Sequence, residues 1–163
     1  MVIDIRQLAA GDAPVLAAMM GMFREVFQEP DPSTPLPGRD YLERLLMSET
    51  FLAVAALVGV EVVGGLTAYE LRKPEREASE IYLYDLAVVA SHRRRGIATG
   101  LIERLRQLAA QRGACEIFVQ ADKEIEDQPA IVLYEGLGTC RDVFHFEIAV
   151  PPPNPARVGS GTA

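Results

Sequence analysis

The run Tyr82-Leu83-Tyr84-Asp85-Leu86-Ala87-Val88-Val89 passes through Ala90-Ser91-His92, breaks on Arg93-Arg94-Arg95-Gly96 and resumes as Ile97-Ala98-Thr99. No other stretch limits the fold as strongly. It reads as a strand, an anion-binding turn and a helix. After Gly96, apolar residues recur at Ile97, Leu101, Leu105 and Leu108, with Ala98, Ile102 and Ala109 alongside, which makes one buried helical stripe. Glu103, Arg104 and Arg106 take the opposite face. The start of such a helix offers unpaired amides and the positive end of the helix dipole, and a glycine there admits a ligand closely. Together these favour a phosphate, with a pyrophosphate as the natural guest. On charge alone a plainer reading stands beside it, in which Arg93 to Arg95 are a solvated run that closes a strand.

Arg93-x-x-Gly96-x-Ala98 resembles the Gln/Arg-x-x-Gly-x-Gly/Ala signature of the GCN5-related N-acetyltransferase superfamily. In that superfamily the loop amides hold the pyrophosphate of acetyl-CoA. About forty residues on, Pro129-Ala130-Ile131-Val132-Leu133-Tyr134-Glu135-Gly136-Leu137-Gly138 resembles the superfamily's second conserved segment. The turn is not the dinucleotide fingerprint, which requires three spaced glycines. The resemblance implies an α+β fold: a three-layer α/β/α arrangement around a central mixed sheet, with antiparallel N-terminal strands and a parallel pair that splays at the cofactor site. It also implies acetyl-CoA as co-substrate, contacted by the strand at Leu86, Ala87 and Val88 and by the turn at Arg93, Arg94, Arg95, Gly96, Ile97, Ala98 and Thr99.

The 163 residues fit one domain, and 49% apolar composition provides a sizeable core. No basic and apolar leader opens the sequence, and no stretch approaches the roughly 20 apolar residues of a membrane span. A cytoplasmic protein without a membrane partner is expected. Cys115 and Cys140 lack metal-ligand spacing and make a poor disulfide framework, so both are expected as buried thiols. His92 and His145 lack the spacing of a metal pair, and no metal is expected; His92 reads as loop surface and His145 as strand packing. The net charge of -7 is uneven: residues 1 to 112 carry 15 acids and 13 bases, residues 113 to 163 carry 8 acids and 3 bases. Such a surface repels nucleic acid and concentrates cationic ligands at a cleft, although excess acid also simply aids solubility.

Along the chain, Ile3 and Ile5 alternate with Asp4 and Arg6 in a first strand. Asp12 as N-cap and Pro14 in the first turn start a helix whose Val15, Met19, Met22, Phe23 and Val26 form a core or cleft-wall stripe to about Phe27. Pro30, Pro32, Pro35 and Pro37 make a stiff loop before a second helix over Arg39 to Ser48. Phe51 to Val58 and Val62 to Tyr69 read as a hairpin, and Gly64-Gly65 as a bulge or close backbone contact. The strand Ser79 to Val89 follows a charged turn, and its helix ends at Gly113. Next come a strand over Glu116 to Gln120, an acidic loop with Asp122, Glu124, Glu126 and Asp127, and a helix with Pro129 in its first turn. Acids at a helix start favour capping, but four exceed what a cap needs. Cys140 to Val150 reads as a closing strand, and Pro151 onward as a disordered tail, so the domain is expected over residues 1–150 and the tail over 151–163.

Ser79 to Val88, His92 to Thr99, Val119-Gln120-Ala121-Asp122, Tyr41 to Leu46, Ser48 to Phe51 and His145 to Ile148 are together similar to aminoglycoside 3-N-acetyltransferases. That resemblance spans about residues 1 to 150. It implies acetyl transfer to the 3-amino group of a gentamicin-like antibiotic, which gives resistance, while the superfamily resemblance implies that the region between the first and second strands, with its proline-rich loop as a lid, shapes the acceptor site. Lys123 to Gln128 departs from the familiar members by about two residues, in the loop that helps receive the polyamine. An amine must lose its proton to attack a thioester, so the site needs a proton acceptor. Asp85 is the first candidate, since regular alternation sets it in an apolar row with Ile81, Leu83, Ala87 and Val89, where a carboxylate needs a partner or an unusual pKa. A bulge would change that parity, and a structural aspartate bonded to nearby backbone is the bland alternative. Glu80 is a substrate contact or water relay, and Tyr84 lines the same site. The resemblance implies that Tyr134 protonates the departing CoA thiolate, the alternative being a core aromatic. It also implies that a backbone N–H around Leu86 to Val88 stabilises the oxyanion. The acceptor site is thus expected at Glu80, Tyr84, Asp85, Asp122, Glu124, Glu126 and Asp127. Two other functions stay open: acetylation of another small polyamine or of a protein N-terminus, and a non-catalytic acyl-CoA-binding module. A homodimer is also left open.

Overall fold

The computed structural model of the chain describes residues 2–28, 34–122 and 128–152. Its elements are β1 (Asp4–Gln7), α1 (Ala13–Phe27), α2 (Arg39–Met47), β2 (Phe51–Val58), β3 (Glu61–Arg72), β4 (Ser79–Val88), a short 3-10 turn over Ala90–His92, α3 (Ile97–Gln111), β5 (Ala114–Val119) and α4 (Gln128–Glu135). The strands form one sheet in the order β1-β2-β3-β4-β5, antiparallel through β4, with β5 parallel to β4 across α3. This is the expected mixed α+β sheet.

Two apolar layers hold the sheet. Leu101, Leu105 and Leu108 of α3 pack on Leu52, Val54, Leu66, Ile81 and Leu83, while Leu16, Met19, Met22 and Phe23 of α1 and Leu42 of α2 cover Ala53, Ala55 and Ala87 on the other face. β2 is therefore buried on both faces, which is why it reads as an unbroken apolar run. The Gly64-Gly65 pair lets both helix layers close in. A Cβ on Gly65 would stand 2.2 Å from the sulfur of Met19, and one on Gly64 would stand 3.2 Å from Ile97 at the start of α3. A register shift between Ala56 and Leu57 lies beside them, so the glycines mark a close contact and adjoin a bulge.

Several expectations are corrected. Asp12 stands at the N-cap position with Pro14 in the first turn, but its carboxylate makes no cap hydrogen bond. It accepts instead from both terminal nitrogens of Arg6 at 2.9 and 3.0 Å and from the Ala9 amide at 3.0 Å. Hydrogen bonding from Arg6, reinforced by the Ala9 amide, holds Asp12 below the ordinary aspartate pKa. Cys115 and Cys140 are exposed rather than buried. The closing strand does not form, since residues 139–152 carry no regular structure, and Phe144 and Phe146 are 90% and 80% exposed. His145, expected to pack in that strand, is exposed with them. A strand needs a sheet edge as well as an alternating sequence, and within this chain that segment has not taken one.

Candidate acetyl-transfer site

The site is built around β4. β5 pairs with β4 only from Ser79 to Leu83, while β4 runs on to Val88 hydrogen-bonded to β3 alone. The parallel pair therefore separates beyond Leu83, which leaves the outer edge of Tyr84 to Val88 without a strand neighbour. The Val89 amide bonds to Val63 on the β3 side, and the Val88 carbonyl accepts from Arg93 Nε at 3.0 Å on the other. Backbone direction alternates along a strand, so the polar groups of Leu86 share that outer edge with those of Val88.

Arg93, tied to the end of β4 in this way, opens the turn into α3. Arg94 and Gly96 take left-handed backbone angles, φ 62° and 76°, and a Cβ built on Gly96 meets nothing within 4 Å. Among the described residues, the Gly96, Ile97, Ala98 and Thr99 amides form no hydrogen bond to another backbone group, as befits the first turn of a 15-residue helix. Amides, helix dipole and open space above Gly96 fit a pyrophosphate, and Arg93, Arg94 and Arg95 are exposed around them. The expected cofactor residues Leu86, Ala87, Val88 and Arg93 to Thr99 are thus brought to one edge, although the side chains of Ala87 and Val88 are buried and only their backbone lies there.

Asp85 faces the other layer. The β3–β4 register pairs Thr67 with Asp85 and Ala68 with Leu83, so Tyr84 is an extra residue that reverses the parity of the strand. Regular alternation would have set Asp85 beside Ile81 and Leu83 against α3. With the bulge, Asp85 and Ala87 turn toward α1 and α2 instead. There Asp85 Oδ2 accepts a hydrogen bond from Thr67 Oγ1 at 2.7 Å, and Thr67 is 4% exposed. Asp85 and Thr67 line a cleft with Tyr41, Tyr69, Tyr84 and Phe51, walled by Pro37, Leu42 and Leu45. Pro37 before α2 and Tyr41, Leu42 and Leu45 of α2 thus form one wall of the cleft.

From this cleft an aromatic row continues along β4 and β5. Tyr84 packs edge-on against Tyr69 and Tyr82, and Tyr82 stacks on Phe118 at 4.9 Å. The Tyr82 hydroxyl donates to Gln120 Oε1 at 2.8 Å. Burial first, and then neighbouring phenols and the Asp85 charge, push Tyr69 and Tyr82 above the ordinary phenol pKa, so both stay neutral donors at physiological pH. Glu80 lies about 15 Å along the strand from Asp85. It is ion-paired with Lys73, so the structure does not bring it beside Asp85. Glu116, its register partner on β5, is exposed at the same end of the sheet, whereas Asp122 is exposed past Val119, beyond the opposite end of β5. Glu124, Glu126 and Asp127 lie outside the described residues. Tyr134 is half-buried on α4 against the α3-side core, in the layer opposite Asp85. Among the described residues no cluster of three or more His, Cys, Asp or Glu side chains could hold a metal.

Sequence reading missed Thr67, Tyr69, Tyr82 and Phe118. Thr67 stands out in an apolar strand only as its polar member, but Tyr69, Tyr82, Tyr84 and Phe118 form a visible aromatic series on neighbouring strands.

A splayed parallel pair, an amide-lined turn at its mouth and an aromatic cleft holding Asp85 behind the same strand suit an acyl-CoA on one side and an acceptor on the other. Residues 16–139 match the model of the acetyltransferase (GNAT) family, and the chain belongs to that family. Members of that family use acetyl-CoA, whose pyrophosphate the turn before α3 fits. Among solved structures the chain is similar to aminoglycoside acetyltransferase HMB0005 from an uncultured soil metagenomic sample, at 51% identity over 93% of this chain and 100% of that one, with a TM-score of 0.89. It is also similar to aminoglycoside acetyltransferase meta-AAC0020 from an uncultured soil metagenomic sample, determined in complex with sisomicin, at 32% identity over 91% and 97% of the two chains, with a TM-score of 0.84. Among curated proteins, N-acetyltransferase 8B of Rattus norvegicus is 30% identical over 80 residues, 49% of this chain and 35% of that one. The chain spans less than half the length of the curated relatives it matches.

Proposed function

We propose that the protein acetylates an amino group of an aminoglycoside, and specifically the 3-amino group. The observation that carries this reading is Asp85, turned by the Tyr84 bulge into an aromatic cleft and hydrogen-bonded by Thr67. A carboxylate among phenol rings suits an ammonium group, through charge and through cation–π contact. The face toward Tyr82, Glu80 and the exposed Glu116 suits the further charges of a polycation. Two neighbours that are aminoglycoside acetyltransferases, one of them determined with sisomicin bound, support the same acceptor class.

Acetyl-CoA supplies the acyl group as a thioester. Asp85 takes the proton shed by the amine, and Thr67 holds the carboxylate oriented for it. The exposed edge of β4 at Leu86 to Val88 offers the backbone N–H for charge developing on the carbonyl oxygen. Tyr134 returns a proton to the departing thiolate. Tyr84 lines the acceptor position, while Glu80 and Asp122, with Glu124, Glu126 and Asp127, attract the cation.

The experiment is incubation of the protein with acetyl-CoA and sisomicin, with gentamicin, spermidine and short peptides in parallel, following CoA release and locating the acetyl group by NMR. The expected product is the mono-acetylated aminoglycoside modified at the 3-amino group. Acetylation at another amine would overturn the regiochemistry alone. Turnover confined to spermidine or peptides would overturn the acceptor class, and CoA binding without turnover on any amine would overturn catalysis.

A further inference from the structure

We infer that the cleft under α1 and α2 also accepts small arylalkyl primary amines, the ammonium meeting Asp85 and the ring entering the apolar wall, so that the protein acetylates a second class of acceptor. The inference rests on the reading of Asp85 as the acetyl-transfer site and stands apart from the aminoglycoside itself.

The sheet side of the cleft accounts for a cation, but the helix side does not. Leu16 and Met20 of α1, Pro37 before α2, and Leu42 and Leu45 of α2 make up that side. Among the described residues that line the cleft, Asp85 is the only charged one. A polycation pressed against such a wall would leave its other hydroxyl and ammonium groups without partners, each at a desolvation cost. An apolar body carries no such groups. It gains instead from leaving water, by about fourfold in binding for each buried methylene.

The rings fix what kind of apolar body fits. Phe51 and Tyr69 are register partners on β2 and β3, their ring centres 5.4 Å apart and their planes tilted by 58°, and Tyr84 meets Tyr69 edge-on at 5.7 Å. Tilted and edge-on contacts of this kind are the ones a further aromatic ring extends. Tyr41 and Tyr84 are 51% and 59% exposed, so aromatic surface around the cleft is left for a ligand to cover. Spacing then selects the linker. Thr67 stands opposite Asp85 in the β3–β4 register, and Tyr69 lies two residues along the same strand, about 7 Å away. That is the reach of a nitrogen joined to a ring by two or three carbons. The cleft encloses about 180 Å³, below the roughly 300–1,000 Å³ of sites for drug-sized ligands, which leaves room for one ring.

The bonds made and broken are those of any amine acetylation. Asp85 takes one proton from the ammonium, and the nitrogen then bonds to the thioester carbonyl carbon as the carbon–sulfur bond breaks with its electron pair on sulfur. The nitrogen loses a second proton and the sulfur gains one. A neutral amide and free thiol result, and the proton held by Asp85 passes to solvent.

The test begins with binding, read by NMR of the full chain with labelled methyl groups, on addition of 2-phenylethylamine or of ethylamine, which has the same ammonium and no ring. Steady-state acetylation of both amines follows, with sisomicin in parallel. The expected result is that 2-phenylethylamine shifts the methyl signals of the half-buried Met20 and Leu45, and is converted to its acetamide with kcat/KM at least about tenfold above that of ethylamine. Leu45→Asn, checked by circular dichroism, should narrow that preference at least about fourfold. Met20→Gln makes the same test from α1 where Leu45→Asn does not fold. Equal kcat/KM for the two amines, methyl shifts that spare Met20 and Leu45, or a preference unchanged in the folded variant would each overturn the inference. Turnover of sisomicin without 2-phenylethylamine would remove this second acceptor and keep the aminoglycoside; turnover of 2-phenylethylamine without sisomicin would support it and remove the aminoglycoside.

Discussion

At Tyr84 the β4 ladder takes up one residue more than β3 supplies, and the side chains after it reverse faces. Asp85 reaches the Thr67 hydroxyl only because of that reversal; in regular register it would meet Leu101 and Leu105 of α3. Thr67→Val keeps the shape of the threonine and removes the 2.7 Å hydrogen bond. A hydrogen bond to a charged group contributes about 1.5–3 kcal/mol where it is desolvated, so turnover on sisomicin should fall at least about tenfold. Acetyl-CoA affinity, read by calorimetry, should stay unchanged, because the turn before α3 lies in the other layer; a Thr67→Val enzyme with full turnover would remove the threonine as a positioning residue. Gly96 tests that turn. Its φ of 76° disfavours any side chain, and the Cβ of Gly96→Val would project into the space left for the pyrophosphate. Calorimetry should show acetyl-CoA affinity reduced at least about tenfold in the folded variant, and unchanged affinity would contradict the assignment of the turn.

Between elements, Arg112 joins the end of α3 to the sheet, donating to Glu70 Oε2 and to the Glu49 carbonyl, each at 2.7 Å. Burial pushes the Glu70 carboxyl up, but hydrogen bonding from Ser79 and Arg112 and the charges of Arg112 and Arg72 override it and hold the group below its ordinary value. A depressed carboxyl pKa stabilises the fold above the unfolded pKa, and that stability is lost as pH falls through the lower, folded value. Arg112→Met removes the ion-pair partner of the buried carboxylate and should cost about 3 kcal/mol in urea unfolding at pH 7. The gap from the natural protein should narrow as pH falls from the ordinary glutamate range through the lower value of the folded carboxyl, below which Glu70 is protonated in either protein. A gap independent of pH would mean that the ion pair is not its source.

The same elements show what the sequence disclosed. α3 was legible because its apolar stripe and bounding glycines state a helix in local terms, and the parallel crossover to β5 followed from it. The anion-binding turn was legible for the same reason. The Tyr84 bulge was not, because an extra residue is defined by register against β3 and no residue type announces it. Thr67 stayed hidden with it, since the partner of Asp85 depends on that register. The closing arm was misread for a physical reason too: Phe144 to Val150 alternate as a strand should, but pairing is a property of two edges.

Across the whole molecule, β4 divides the work. Its outer edge meets the turn before α3, and its inner face presents Asp85 to the cleft under α1 and α2, so donor and acceptor approach one strand from different directions. The net charge of -7 and the acids at the β5 end give the acceptor side a field that salt screens within about 10 Å at 0.1 M. The Michaelis constant for sisomicin should accordingly rise between low and high ionic strength, while turnover at saturation holds; a constant insensitive to salt would exclude long-range attraction. The central claim, that Asp85 receives the proton of the amine, is tested most directly by steady-state acetylation of sisomicin with Asp85→Asn, after circular dichroism and acetyl-CoA calorimetry show it folded and competent to bind. The account predicts turnover lowered about 100-fold or more, the scale of a lost general base, with a comparatively small change in the Michaelis constant. Full turnover by the folded Asp85→Asn protein would contradict it.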